Sequence, residues 1–356
     1  MLAENTTRTS IPNDGGSNPA AFTFIDLFAG IGGFHIAMSS VGGHCVFASE
    51  WDKFARMTYE ANYRPHNPGL FDSNRFNWDI NQAAPDDIPD FDVMCAGFPC
   101  QPFSHAGLKK GFEDTRGTLF FRLAEIVKHK TDTGKKPKVL FLENVKGLKS
   151  HDKGNTLRRI QEILEDDLGY NQKTVVLNSK YFGVPQNRER LFIVAVDNST
   201  GLTFQFPFGL TKEGFPIYEP ADLELAKPTR VGNILDPNPP EKYTISDRLY
   251  QGHLRRRQEH AVKGNGFGFS LFKPDAPYTS TISARYYKDG SEILIDQGEH
   301  KNPRKLTPDE ARKLQGYPDG FIIPVTDVQA YKQFGNSVSV PVIKAIANEI
   351  KQQILQ

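Results

Sequence analysis

From Phe22 to about Val196 the chain alternates short apolar runs with helical patterns, and this alternation constrains the fold more than any other feature. Phe24 to Phe28 reads as a strand, the glycine turn Ala29-Gly30-Ile31-Gly32-Gly33 follows it, and a helix then runs to about Ser40. His44 to Ser49, Phe91 to Ala96 and Val139 to Leu142 read as further strands, with a helix from Leu119 to Lys130 between the last two. Thr174 to Asn178 and Leu191 to Val196 read as two more strands, joined through Gly183-Val184-Pro185. Strands alternating with helices predict an α/β fold with a doubly wound, mostly parallel sheet. In such a sheet ligands bind at the carboxyl edge of the strands.

The character changes after Asp197. Prolines and glycines crowd the stretch to about Gln297, helical patterns thin out, and short β-like runs appear at Thr279 to Tyr287 and Glu292 to Asp296. A chain of 356 residues suits one large domain and a smaller one. The expected division is a catalytic and cofactor-binding domain over 22–196, a loop-rich second domain over 197–300, and a return segment over 301–356. In the return segment Thr307-Pro308-Asp309-Glu310 carries the signature of a capped helix start. The last helix, about Val338 to Gln353, has apolar spacing at Val342, Ile346 and Ile350 and should pack on the first domain. Residues 1–21 are rich in Ser, Thr, Asn, Gly and Pro and lack the apolar core of a signal peptide, so they read as a disordered tail.

Several function classes drop out on composition. The formal net charge is +1, so any polyanion-binding surface must come from local clustering. Three cysteines without a Cys-x-x-Cys pair make neither a disulfide framework nor a zinc site, and the chain reads as reduced and cytoplasmic. No apolar run approaches the roughly 20 residues that span a bilayer.

Two places carry chemistry. Asp26 to Gly33 ends a strand and opens a helix, where glycines permit tight turning and close backbone approach to a ligand. It is neither Gly-x-Gly-x-x-Gly nor a Gly-Lys-Ser/Thr loop, which argues against phosphate cradling. Glu50 closes the next strand, where an acid can bond ribose hydroxyls, and Trp51 beside it can stack on a base. These features describe an adenosine-containing ligand with no pyrophosphate, and S-adenosyl-L-methionine fits. The second place is Gly97-Phe98-Pro99-Cys100-Gln101 together with Glu143-Asn144-Val145. A thiol on a proline-bounded loop and a carboxylate at the end of a neighbouring strand would converge over one crevice, as covalent catalysis requires. Cys45 and Cys95 lie inside apolar runs and read as buried thiols.

Phe28 to Gly33, Glu50-Trp51, Asp79-Ile80, Gly97 to Gln101, Glu143-Asn144-Val145, Gln186-Asn187-Arg188-Glu189-Arg190, Arg304 to Pro318 and Gly335-Asn336-Ser337-Val338 stand in that order along the chain. With these pieces the chain resembles the DNA (cytosine-C5) methyltransferases, of the bacterial restriction–modification type. The resemblance implies an S-adenosylmethionine-dependent methyltransferase fold and a small target-recognition domain, with a cleft between the two for duplex DNA. Cys100 would attack carbon 6 of a cytosine, so that carbon 5 can take the methyl group. Glu143 would protonate or hydrogen-bond ring nitrogen 3. Arg188 and Arg190 would favour the thiolate, or else hold the backbone or the base. Phe28, Gly30, Ile31, Gly32, Glu50, Trp51, Gly97, Pro99, Asn336 and Ser337 would hold the cofactor. Asp79 would accept from the adenine amino group, with Ile80 packed on the ring. Where the family usually shows Gly before that Asp, this chain has Trp78.

The target carbon is unreachable inside a stacked duplex, so the base must be flipped out. Ser104 to Gly117 looks like the loop that closes over it, with Gln101 and Ser104 near the base and Lys109, Lys110 and Arg116 able to meet phosphates. In the variable region Arg255, Arg256, Thr281, Arg285 and Tyr287 are the expected DNA contacts. Thr281-Ile282 resembles the Thr-Leu pair of family recognition domains, and Lys263 to Phe269 and Ile282 to Ile295 are similar to Dcm-like enzymes. That similarity implies a CC(W/N)GG-type site. The expected partners are double-stranded DNA and a cognate restriction endonuclease, and the expected state is a monomer near the bacterial nucleoid. The short N-terminal tail argues against a large eukaryotic maintenance enzyme. Two other readings stay open on sequence alone: a tRNA cytosine methyltransferase, and a catalytically idle DNA-binding regulator.

Overall fold

A computed structural model describes residues 20–99, 119–264 and 268–356. Residues 1–19, 100–118 and 265–267 therefore lie outside the described residues. The core is a seven-stranded sheet: β1 Phe22–Leu27, β2 Gly43–Ser49, β3 Phe76–Asn77, β4 Val93–Gly97, β5 Val139–Val145, β6 Tyr170–Asn178 and β7 Glu189–Asp197, in the order β3-β2-β1-β4-β5-β7-β6. The order runs outward in one direction from β1 and in the other from β4. The switch point therefore falls between β1 and β4, whose carboxyl ends lead into Phe28 to Gly33 and into Phe98-Pro99.

β1, β2, β3, β4 and β5 pair in parallel, whereas β7 pairs antiparallel with both β5 and β6. The alternation pattern did not reveal this reversal. β6 and β7 are linked by the short segment from Ser179 to Arg188, which is too short for the helical crossover that a parallel partner needs.

The strands are apolar throughout because both faces are covered. Phe24, Val93, Cys95, Val139 and Phe141 face one core with α1 Gly33–Ser40, α2 Lys53–Tyr63 and α9 Val340–Ile354. Ile25, Leu27, Met94, Ala96, Leu140 and Leu142 face the other, with α4 Leu119–Asp132 and α5 Asn155–Glu162. The short α3 Pro68–Asp72 caps the edge near β2. As the apolar spacing predicts, α9 buries Val342, Ile346 and Ile350 and lies along α1. Cys45 and Cys95 are both buried, and burial pushes the Cys95 thiol well up.

Residues 197–300 carry little regular structure. They form the pairs β8 Gly209–Leu210 with β9 Pro216–Ile217 and β10 Leu271–Phe272 with β11 Leu294–Ile295, several 3-10 turns, and α6 Asp247–Lys263. Phe204, Val231, Ile282, Tyr286 and Ile293 join the same apolar cluster as α9 and α7 Pro308–Leu314. The β-like run expected from Thr279 to Tyr287 is not a strand. Thr279 makes a single bridge to Gln186, and the chain then turns, because residues 279–282 spend their hydrogen bonds on the Pro185 to Arg188 segment. α7 begins with the expected capping box: the Glu310 backbone N–H donates to the Thr307 hydroxyl, and the Glu310 carboxylate accepts from the Thr307 N–H. Glu310 also makes a two-pronged ion pair with Arg304, at 2.7 and 2.8 Å, with both side chains buried.

Candidate active site

One cleft of about 670 Å³ opens at the switch point. It is lined by Phe28, Gly30, Ile31, Glu50, Trp51, Gly97 and Pro99 from the sheet edge and by Glu143, Arg188 and Arg190 from β5 and the entry to β7. Asn336 and Ser337, at the end of α8 Asp327–Asn336, complete that wall. Arg285, Tyr287, Lys288 and Lys332 line the rest of the cleft.

The sheet-edge half is built by the backbone. Phe28 and Gly30 both have φ of 55°, a left-handed turn that glycine adopts without strain. A Cβ on Gly30 would meet nothing within 4 Å, so the backbone there faces open cleft. Glu50 holds the turn: one carboxylate oxygen accepts the Gly30 N–H at 2.7 Å and the other accepts the Asp52 N–H at 2.7 Å. Each oxygen keeps a lone pair for a hydroxyl donor. Burial raises the Glu50 pKa, and the two N–H bonds oppose that shift.

The acid half rests on β5 and β7, where Val145 and Arg190 are register partners. Glu143 is buried, and its carboxylate lies 3.2 Å from Arg190 Nε. Burial pushes the Glu143 carboxyl up, and Arg190 and Arg188 pull it back. Arg188 is buried too, and burial followed by repulsion from Arg190 lowers it to about 9, still charged at neutral pH. Its guanidinium donates to the Ile282 carbonyl at 3.1 Å, to Gly335 at 3.1 Å and to Ser337 at 2.6 Å. All three of these bonds go to backbone carbonyls. Gly335 sits at the same junction. A Cβ there would come within 2.3 Å of the Ser283 backbone, so only glycine lets the two segments touch. Asn144 ties the end of β5 to the loop before Cys100, donating to the Phe98 carbonyl at 2.8 Å.

Other sequence-named residues fall outside the cleft lining. Gly32 packs against the Tyr63 ring. The Asp79 carboxylate is taken up by its own turn, accepting from the Asn81 backbone N–H, the Asn81 amide and the Gln82 amide, and Ile80 is buried in the core beneath the sheet. Thr281 borders a neighbouring groove with Asn187, Glu189 and Arg190, and its hydroxyl donates to the Asn187 carbonyl at 2.7 Å. Arg255 and Arg256 are on α6, away from the cleft lining, and Arg256 is paired with Asp289 at 3.0 Å. Cys100, Gln101, Ser104, Lys109 and Arg116 lie outside the described residues.

Sequence reading gave no role to two glutamines, Gln186, quoted only as part of a family-like piece, and Gln333. Gln186 is fully buried and stitches three segments: its amide donates to Leu314 and Gln315 and its carbonyl accepts the Ile282 N–H. Gln333 lines the cleft, accepts from the Thr58 hydroxyl at 3.0 Å, and leaves its buried amide nitrogen without a protein partner. Neither has a local spacing signal. For Gln333 only the i, i+3 relation to Asn336 on one helix face hints at a role.

An open glycine turn, a carboxylate with free lone pairs, an exposed indole and an unpartnered buried amide suit a nucleoside ligand with a polar tail. The fold and cleft thus have the form of an α/β enzyme with a ligand cleft at the sheet's switch point, with an acid and an arginine paired beside the glycine turn. The family model described as C-5 cytosine-specific DNA methylase matches residues 22–352. The chain is 52% identical over 332 residues to the Type II methyltransferase M.NlaX of Neisseria lactamica, covering 93% of this chain and 96% of that protein. It is 44% identical to M.HpaII of Haemophilus parainfluenzae over 95% of this chain and 92% of that protein. It is 39% identical to the DNA-cytosine methyltransferase of Escherichia coli K12 over 98% of this chain and 82% of that protein. The solved structure of S. pombe Dnmt2 shares the fold, with a TM-score of 0.70 at 20% identity over 93% of this chain and 98% of that one. This chain belongs to the C-5 cytosine-specific DNA methylase family and is a DNA (cytosine-5) methyltransferase.

Proposed function

We propose that this enzyme methylates carbon 5 of one flipped-out cytosine in a short duplex DNA sequence, as the modification half of a restriction–modification system. The observation that carries the reading is the buried Glu143–Arg190 pair at 3.2 Å in the same cleft as the Glu50 turn. When bound, S-adenosylmethionine supplies an electrophilic methyl group on a sulfonium. Gly30 and Glu50 would hold its ribose, Trp51 its adenine, and Gln333, Asn336 and Ser337 its methionine portion.

Carbon 5 is a poor nucleophile while the ring is aromatic. The Cys100 thiolate adds to carbon 6 and breaks that aromaticity, and a proton or hydrogen bond from Glu143 at nitrogen 3 takes up the electron density. Burial suits Glu143 to this task because it keeps the proton on the carboxyl nearer to neutral pH. Arg190 orients the carboxyl through its Nε contact. Carbon 5 then accepts the methyl group, loses its proton to solvent, and the ring is restored as the thiolate leaves. Arg285, Tyr287 and Lys288, which line the same cleft as Glu143, would face the DNA. The similarity to Dcm-like enzymes supports a CC(W/N)GG-type site, and the Type II relatives support a partner endonuclease.

Bisulfite sequencing of DNA from cells expressing the protein reads product and site together. Incubation with labelled S-adenosylmethionine and mixed-sequence duplexes should yield 5-methylcytosine, and duplex DNA should compete against a tRNA acceptor. A complete absence of 5-methylcytosine, or transfer confined to tRNA, overturns the proposal.

A further inference from the structure

The two tryptophans of this chain stand side by side. β2 and β3 pair in parallel with Ser49 opposite Asn77, so Trp51, two residues past β2, and Trp78, one past β3, emerge at one corner of the carboxyl edge. Their ring centroids are 5.7 Å apart at an interplanar angle of 43°. Both are strongly exposed, Trp51 at 69% and Trp78 at 49%, which is unusual for the largest apolar side chain.

Their backbones, in contrast, are pinned. Arg56 donates to the Glu50 carbonyl at 3.2 Å and to the Trp51 carbonyl at 2.8 Å, and the Asp79 N–H donates to the Asn77 side chain at 2.7 Å beneath Trp78. Fixed backbones carrying bare indoles make a preformed aromatic corner. Its geometry also limits what it can do. A planar ring between two parallel faces needs two contact gaps of about 3.5 Å each, so a centroid spacing of 5.7 Å excludes a sandwich. A ligand ring can lie on one indole only, with the other as its side wall. Trp51 lines the cleft, so it provides the face. Meanwhile the Asp79 carboxylate already accepts three N–H bonds within its own turn, two on Oδ1 and one on Oδ2, so a single lone pair on Oδ2 is left for an exocyclic amine.

We propose that Trp78 is a positioning residue of the adenine subsite: it braces the Trp51 indole and walls one side of the purine. This rests on the S-adenosylmethionine reading above and goes beyond it, because it assigns a role to Trp78, which that reading leaves unused.

Since the chain has no other tryptophan, intrinsic fluorescence reports this corner alone. The test titrates the full-length enzyme and its Trp78→Gly and Trp78→Phe variants with S-adenosylhomocysteine and with methylthioadenosine, which keeps the adenosine and lacks the amino-acid tail. Both ligands should quench the wild type. Trp78→Gly should weaken both by the same factor, roughly 3- to 10-fold given the usual worth of an aromatic pair, with Trp78→Phe in between. The cofactor KM should rise by a similar factor while kcat at saturating cofactor moves far less. In a Trp51→Ala background, where the cofactor KM replaces fluorescence as the readout, the Trp78 effect should shrink, because it acts through Trp51. Unchanged affinity for both ligands in a folded Trp78→Gly protein overturns the inference, as does a loss that appears in DNA affinity instead. Failure of the wild type to bind either ligand would sink the cofactor reading itself.

Discussion

The two sides of the cleft are held by different means. On the cofactor side the restraints are mostly main-chain bonds, Ala29 N–H to Ser49 at 3.0 Å and Glu50 N–H to Asn77 at 3.1 Å, joined by one side chain, the Glu50 carboxylate, which accepts the Gly30 N–H at 2.7 Å. On the facing side, Arg285, Tyr287 and Lys288 come from a turn rather than a strand, and Lys332 reaches the Tyr287 ring by a cation–π contact at 5.3 Å. Backbone restraints survive most substitutions in sequence, whereas side-chain contacts change with each one. A fixed reaction on one wall and an exchangeable surface on the other is the arrangement an enzyme needs to keep its chemistry while its target varies. Substitutions should accordingly separate into those that stop chemistry and those that weaken binding of DNA.

The largest effect should come from Cys100→Ser. Turnover should fall by roughly 10⁴-fold or more, as removing a nucleophile does, while duplex binding measured by gel shift survives. Surviving turnover would mean that another group attacks the ring. Glu143→Gln should cost about 10²–10⁴ in kcat, the range for a general acid, and it should change the pH profile. The wild-type rate should rise with pH as the thiolate forms, then fall as pH passes the raised pKa of Glu143 and the carboxyl loses its proton. Glutamine has no proton to lose, so the falling limb should vanish. A falling limb that persists in the variant would assign that ionisation to another group.

Legibility followed the same divide between local and distant contacts. β1, β4 and β5 were readable because buried parallel strands are short apolar runs, and the Thr307–Glu310 capping box was readable because its partners are three residues apart. β7 was readable as a strand at Leu191 to Val196 but its antiparallel direction was not, since direction depends on how the chain crosses rather than on side-chain order. β3 escaped because a strand of two residues, Phe76–Asn77, has no period to detect. Glu143 and Arg190 could be named through family likeness, but their contact joins residues 47 apart in sequence, and only folding shows it. Gln186, Gln333 and the buried Arg304–Glu310 pair are polar residues whose value lies in partners that pattern does not encode.

Arg188 joins the two walls, and its removal should be felt as stability. Arg188→Ala strands the carbonyls of Ile282, Gly335 and Ser337 in a buried setting. A loss of about 3–5 kcal/mol is expected from several unsatisfied buried groups, read as a lower urea midpoint. Arg188→Lys should recover little, because one ammonium cannot span three acceptors placed for a planar fork. Wild-type stability in Arg188→Ala would show that the walls are joined elsewhere, with the paired Gln186 bonds as the next candidates.

The smallest expected effect separates two neighbouring arginines on α6. The Arg255 side chain is 78% exposed, and its nearest acid, Glu259, is 3.9 Å away. Arg256 is committed to Asp289 at 3.0 Å and holds that carboxyl below its usual range. If α6 tracks the DNA backbone, Arg255→Ala should weaken duplex binding a few-fold and lower the slope of log affinity against log salt by about 1. Cofactor affinity should be untouched. Arg256→Ala should instead cost about 0.2–1 kcal/mol of stability, the range for a partly exposed ion pair, with a smaller change in the salt slope. If both variants leave the salt slope unaltered, α6 makes no phosphate contact and the exchangeable wall narrows to the Thr281 to Lys288 segment. If Arg255→Ala weakens cofactor binding as much as DNA binding, the two walls are energetically coupled and the division between them fails.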